Sequence, residues 1–177
     1  NALGRFATGV CVITANPEGH APFGMTVNSF SSLSLTPPLV LWSLQKNSDT
    51  MEAFRVAKRY CANILSQEQK ALAGRYAKKG DHALRDEDFT IGESGLPVLT
   101  HALASFECTM DARHDGGDHI ILIGRVTHMT VSTGGRSQPA SRVVAASSAA
   151  TAVWSSTLIT SPPAAAWPGP PPPGRPA

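Results

Sequence analysis

The chain has 177 residues, a formal net charge of +2 and a charged fraction of 16%, which is length enough for one domain with a real core. No apolar run is long enough to span a bilayer, and no basic region followed by an apolar stretch opens the chain, so neither a membrane span nor a secretory signal is read. Cys11, Cys61 and Cys108 are scattered without a Cys-x-x-Cys spacing, which argues against a disulfide framework or a zinc site and for a reducing compartment, the cytoplasm.

In chain order, Thr8–Ala15 is β-branched and predicts a strand, closed by the turn Asn16-Pro17-Glu18-Gly19. Gly24–Leu35 alternates with period two and predicts one long strand, stopped by Pro37-Pro38. Leu39–Leu44 predicts a short buried strand. Asp49 followed by Glu52 has the capping-box spacing and predicts a helix over Thr50–Lys58; Ser66 followed by Gln69 predicts another over Lys70–Lys78. Between the helices Arg59–Leu65 predicts a strand. Lys78–Phe89 is dense in charge and predicts an exposed loop. Ala104–Ala112 and His119–Val131 complete about six strands. Strands at short spacing with two helical interruptions predict a mainly β fold, a closed antiparallel barrel with helical insertions.

Composition changes sharply near residue 135. Residues 1–135 carry 12 of the 15 basic residues and all 13 acidic ones, whereas residues 136–177 hold Arg136, Arg142 and Arg175, no acid, and nine of the 14 prolines. The first stretch reads as the domain and the second as an Ala/Ser/Pro-rich tail, disordered or derived from a reading-frame shift. Three spread arginines with few aromatics make no nucleic-acid footprint.

Two segments carry polar chemistry. Along Gly24–Leu35 both faces mix apolar residues with hydroxyls and one amide, a pattern that suits a flat ring with a polar edge and equally a serine-rich edge strand. Ser43–Thr50 follows a strand and opens a helix. Its hydroxyls at Ser48 and Thr50 and the charge of Lys46 suit a phosphate, although the Asp49 carboxylate opposes an anion there. No G-x-G-x-x-G, P-loop or G-x-S-x-G is present. His114, Asp115, Asp118 and His119 match no standard metal spacing. His119 alone is compatible with a proton donor, a hydrogen-bonding clamp or a turn-end histidine.

Taken together, Arg5–Val10 (RFATGV), Gly24–Ser32 (GMTVNSFSS), Ser34–Leu39 (SLTPPL), Asn63–Ser66 with Gln69, Gly95-Leu96-Pro97, Ala104–Cys108 and Gly117-Asp118-His119 resemble, in order, the flavin reductase-like family over about residues 1–133. The resemblance implies an FMN-binding split β-barrel, antiparallel and Greek-key-like, usually a homodimer. It implies hydride transfer from NADH or NADPH to N5 of FMN or FAD, with the reduced flavin passed to a separate monooxygenase. It places Thr26, Val27, Asn28, Ser29, Ser31 and Ser32 along the isoalloxazine and ribityl chain. Ser43, Leu44, Gln45, Lys46, Ser48 and Thr50 fall at the ribityl and phosphate end, with Asn63, Ile64 and Gln69 nearby. His119 is the catalytic candidate, beside the nicotinamide. No metal is implied. A flavin-binding module without turnover and a flavin-using oxygenase on the same fold are the alternatives. Two departures stand out: the family's short lead-in is absent before Asn1, and its pattern is lost after Arg136, with the closing strand expected there.

Overall fold

The computed structural model describes residues 9–132; Thr8 and the tail over 136–177, with the frame-shift reading attached to it, lie outside the described residues. Nine strands are present among them. They are β1 (Cys11–Ala15), β2 (Phe23–Val27), β3 (Ser31–Ser34), β4 (Leu39–Gln45), β5 (Arg59–Ile64), β6 (Phe89–Ile91), β7 (Pro97–Leu99), β8 (Ala104–Gly116) and β9 (His119–Val131). Two helices, α1 (Met51–Val56) and α2 (Lys70–Tyr76), follow β4 and β5, the second entered through a 3-10 turn at Gln67–Gln69. Seven strands form one antiparallel sheet in the order β2-β1-β5-β8-β9-β4-β3, and β6 with β7 forms a separate hairpin. The edge strands β2 and β3 are consecutive in the chain yet are not paired with each other, which is where the barrel is split.

The core fills the inside of the curled sheet. Ile13, Trp42, Leu44, Phe54, Tyr60 and Leu122 are fully buried there. Phe54 is pressed edge-on to both Phe23 and Trp42, with ring centroids 5.1 and 4.9 Å apart, the arrangement aromatic quadrupoles favour. Gly124 of β9 is where the chain needs no side chain, because a Cβ there would run into the Tyr60 hydroxyl.

Three expectations are corrected and one element is added. The single strand over Gly24–Leu35 is two strands, interrupted at Asn28–Phe30. The Ser29 hydroxyl takes the Ser43 N–H at 2.9 Å and donates to the Ser43 carbonyl at 3.1 Å, so a side chain takes over the role of the ladder and re-aims the chain. The capping box at Asp49 does not form: Thr50 is the N-cap of α1 without a side-chain bond, Glu52 pairs with Arg55, and the Asp49 carboxylate is turned elsewhere. The helix is also shorter than predicted, because Ala57 is already extended. The Arg113 guanidinium donates to the carbonyls of Phe54 and Ala57 at its end. By contrast the Ser66–Gln69 box is formed, with Gln69 Oε1 accepting the Ser66 N–H at 3.1 Å. Lastly, the β6–β7 hairpin was not foreseen. Its turn is gathered by the buried Glu107 carboxylate, which accepts the N–H groups of Glu93 and Ser94 at 3.1 and 2.8 Å.

Candidate functional site

The interruption between β2 and β3 opens a cleft of about 380 Å³. Its lining comes from the end of β2 and the bulge after it (Met25, Thr26, Val27, Asn28, Ser29) and from the end of β4 (Ser43, Leu44, Gln45). The turn before α1 (Asn47, Ser48, Asp49), the end of α2 and the segment after it (Tyr76, Ala77, Lys79, His82), and His119 at the start of β9 complete it. The register explains the convergence: Gln45 of β4 pairs with His119 of β9, and Lys46 N–H donates to the Asp118 carbonyl at 2.9 Å.

The cleft mixes committed and uncommitted polar groups. Thr26 Oγ1 donates to the Ala73 carbonyl at 2.7 Å, tying α2 to β2. The Ser48 and Thr50 hydroxyls are hydrogen-bonded to each other at 2.9 Å, and Met25 Sδ lies 3.8 and 3.1 Å from them as an acceptor for the remaining proton. The side-chain amides of Asn28, Gln45 and Asn47 make no hydrogen bond among the described residues. An amide offers two donors and an acceptor, so these three exposed side chains give the cleft a polar edge open to a ligand. His119 Nδ1 lies 2.7 Å from Asp118 Oδ1. That hydrogen bond, reinforced by the histidine's charge, holds the Asp118 carboxyl below its usual range. It also fixes the ring so that Nε2 is the free edge.

Of the residues singled out in the sequence, Thr26, Val27, Asn28, Ser29, Ser43, Leu44, Gln45, Ser48 and His119 line the cleft. The others lie elsewhere. Ser31 and Ser32 are exposed on the edge strand β3. Lys46 Nζ is drawn to Asp115 Oδ2 at 2.5 Å. Hydrogen bonding to that ammonium, first, and to the Gly117 N–H lowers the Asp115 carboxyl. Thr50 is buried beneath Ser48. Asn63 is fully buried: its Nδ2 donates to the Val12 carbonyl and Thr14 Oγ1, and its Oδ1 accepts from the Leu99 N–H and the Ser105 hydroxyl, all within 3.1 Å. Ile64 packs on the core, and both ends of the Gln69 amide are used, one on Ser66 and one on the Thr100 carbonyl.

Sequence reasoning missed Tyr76, Lys79 and His82, all inside or next to the charged run assigned to an exposed loop. That run returns to the sheet: Phe23 bridges to Ala83, and Gly24 N–H donates to the His82 carbonyl at 2.8 Å. Tyr76 is buried and donates to Asp88 Oδ2 at 2.6 Å; burial, first, and this bond push its hydroxyl up to about 12. Burial likewise pushes the Cys11 thiol up to about 12 and raises Cys61 and Cys108, so these sulfurs are packing groups rather than nucleophiles. No group of three metal-ligating side chains occurs among the described residues.

Comparison with known proteins identifies the family and the fold. A family profile described as "Flavin reductase like domain" matches residues 3–146. The chain is 50% identical over 127 residues to the FMN reductase (NADH) SmoA of Agrobacterium fabrum, covering 71% of each protein. It is 38% identical to the reductase subunit HsaB of a flavin-dependent monooxygenase of Rhodococcus jostii, over 72% of this chain and 65% of that one. The fold is similar to the NADH:FAD oxidoreductase SgcE6 of Streptomyces globisporus in complex with NAD and FAD fragments. There the TM-score is 0.69 and the identity 34%, over 74% of this chain and 79% of that one.

Proposed function

The chain belongs to the flavin reductase-like family, and from that premise we propose that it oxidises NADH, or NADPH, to reduce FMN or FAD and supplies the reduced flavin to a separate monooxygenase. The observation that carries this reading is the cleft itself, a concavity lined by Met25–Ser29 and Ser43–Gln45 and edged by the exposed amides of Asn28, Gln45 and Asn47, which have no hydrogen-bond partner among the described residues. Its residues fit a flavin, whose ring is flat and apolar with donors and acceptors along one edge. When bound, the flavin supplies the acceptor, at N5, for a hydride leaving C4 of the nicotinamide.

What the protein adds is position. The amides of Asn28, Gln45 and Asn47 would hold the polar edge of the ring, at a cleft wall braced by the Ser29 hydroxyl on the Ser43 backbone. Ser48 serves the ribityl and phosphate end. His119, with Nδ1 held by Asp118, turns Nε2 toward the nicotinamide side as a positioning group. No covalent nucleophile is required. The partner named for the Rhodococcus relative is a monooxygenase, and this chain serves one in the same way.

The same reading includes a homodimer in the cytoplasm. The exposed leucines Leu33 and Leu35, beside the open edge of β3, support a covered face, and the three free cysteines support a reducing compartment. The test is loss of NADH or NADPH absorbance with the purified chain as FMN or FAD is added. Turnover that rises with free flavin is expected. Tight flavin binding without oxidation of either nucleotide overturns the reductase in favour of a binding module.

A further inference from the structure

The segment over 77–82, the part of the charged run that lines the cleft, is fastened by one carboxylate. Asp49 Oδ2 accepts the Gly80 N–H at 2.6 Å, and Asp49 Oδ1 lies 2.9 Å from His82 Nε2. The other ring nitrogen of His82, Nδ1, lies 3.2 Å from the Gly24 carbonyl of β2. Both neighbours of the ring are acceptors. The imidazole can satisfy both only as the doubly protonated cation, since the neutral ring carries a single N–H. The ring is largely buried, with 14% of its side chain exposed, so water does not readily replace a lost bond. Gly80 itself holds φ +78°, a turn at which the chain reverses between the end of α2 and the strand-like pairing at Ala83.

We propose that His82 is a positioning residue for the flavin site: as a cation bonded to Asp49 and Gly24, it holds the segment carrying Lys79 against the cleft. This rests on the flavin-reductase reading and deepens it. Lys79 lines the cleft and, unlike Lys46 with Asp115, has no acidic partner among the described residues. Its ammonium is therefore available to the phosphate of a bound flavin or nicotinamide nucleotide. When His82 loses its second proton, one of the two ring bonds is lost and this wall loosens. Flavin affinity accordingly falls as pH rises.

The other charged and titratable groups around the ring are few. Asp49 faces it from the turn before α1. Burial pulls that carboxyl upward, but the Gly80 N–H and the His82 charge outweigh it and hold the carboxyl below its usual range. The pair thus survives acid until pH falls through that lowered value. Lys79 and Asp81 lie on the same segment. Tyr76 stays protonated up to about pH 12. His119 lines the same cleft, so it has to be separated by mutation.

The experiment is the Kd of FMN and of FAD for the full chain, measured by flavin fluorescence from mildly acidic to alkaline pH, in the wild type and in His82→Gln, Asp49→Asn and His119→Gln. Gln at 82 donates one bond at every pH and does not titrate. The expected result is a wild-type Kd that rises about three- to tenfold from the acidic to the alkaline end of the series, the loss of one partly buried hydrogen bond. That rise is absent in His82→Gln and retained in His119→Gln. Should His82→Gln not fold, Asp49→Asn carries the test, with a weakened and flattened profile expected. An equal pH dependence in wild type and in the foldable variant overturns the positioning role while leaving the reductase intact. No flavin binding at any pH overturns both. Lys79→Met separates the sources of phosphate: a raised flavin Kd assigns it to the flavin, and a raised KM for the nicotinamide nucleotide alone assigns it to the hydride donor.

Discussion

Two polar clusters in this domain are built from similar residue types and meet opposite fates. Around Asn63, with Thr14, Ser105 and the nearby Glu107, every polar atom of the amide has a partner, and the cluster is sealed between β1, β5, β7 and β8. Around the cleft, the amides of Asn28, Gln45 and Asn47 have none among the described residues. A buried polar group left unpaired is costly, so a sealed network reports architecture. Uncommitted donors and acceptors that converge on a concavity, where water or a ligand can complete them, report binding. The difference decides among the sequence candidates: Asn63 and Gln69 are spoken for, Asn28 and Gln45 are not.

Substitutions on either side sharpen that contrast. The largest effect is expected from Asn63→Leu, which strips partners from the Leu99 N–H and the Ser105 hydroxyl; a loss of about 3 kcal/mol in denaturant unfolding is expected. An Asn63→Leu protein of wild-type stability with impaired flavin binding would reverse its assignment. Next is Gly92→Ala, whose Cβ would fall 2.6 Å from both Glu107 Oε1 and Val98; about 2 kcal/mol of stability is expected to go, with flavin affinity kept. Asn28→Ala is expected to do the converse, weakening FMN binding about tenfold, roughly 1.4 kcal/mol. Its unfolding midpoint should be unmoved, and a shifted midpoint would make Asn28 structural.

The smallest effect is at the surface. Asp115 is lowered by Lys46, so it contributes stability that is present above the ordinary carboxylate range and lost as pH falls through its lowered value. Lys46→Gln should flatten the acid limb of stability against pH, and only slightly, because the pair is exposed and screened. An acid limb as steep as the wild type would show that Lys46 does not set the titration of Asp115.

Much of the frame was legible because its signals are local. β-branched alternation marks β1, β4, β5, β8 and β9 within a residue or two at most ends, and the Ser66–Gln69 spacing marks its turn. The break at Ser29 was not legible, because it depends on Ser43, fourteen residues away, being brought opposite it. Nor was the fate of Asp49, whose partners Gly80 and His82 lie on a segment that composition assigns to solvent. The β6–β7 hairpin is short, and its turn is completed by Glu107 from another strand, so local propensity alone could not outweigh the Gly and charge around it.

The sequence by itself determined a mainly β domain with two polar segments within Gly24–Leu35 and Ser43–Thr50, and its ordered motifs resembled the family to which the chain belongs. Alternation, turn residues and motif order are properties of neighbours along the chain. Only the tertiary structure decided which polar residues are spent inside the protein and which face the cleft. It alone brought His82 and Lys79 to join the site and turned Asp49 away from its helix. Those outcomes depend on pairings across tens of residues, where a hydrogen-bond partner is chosen by position in space and not by spacing in sequence.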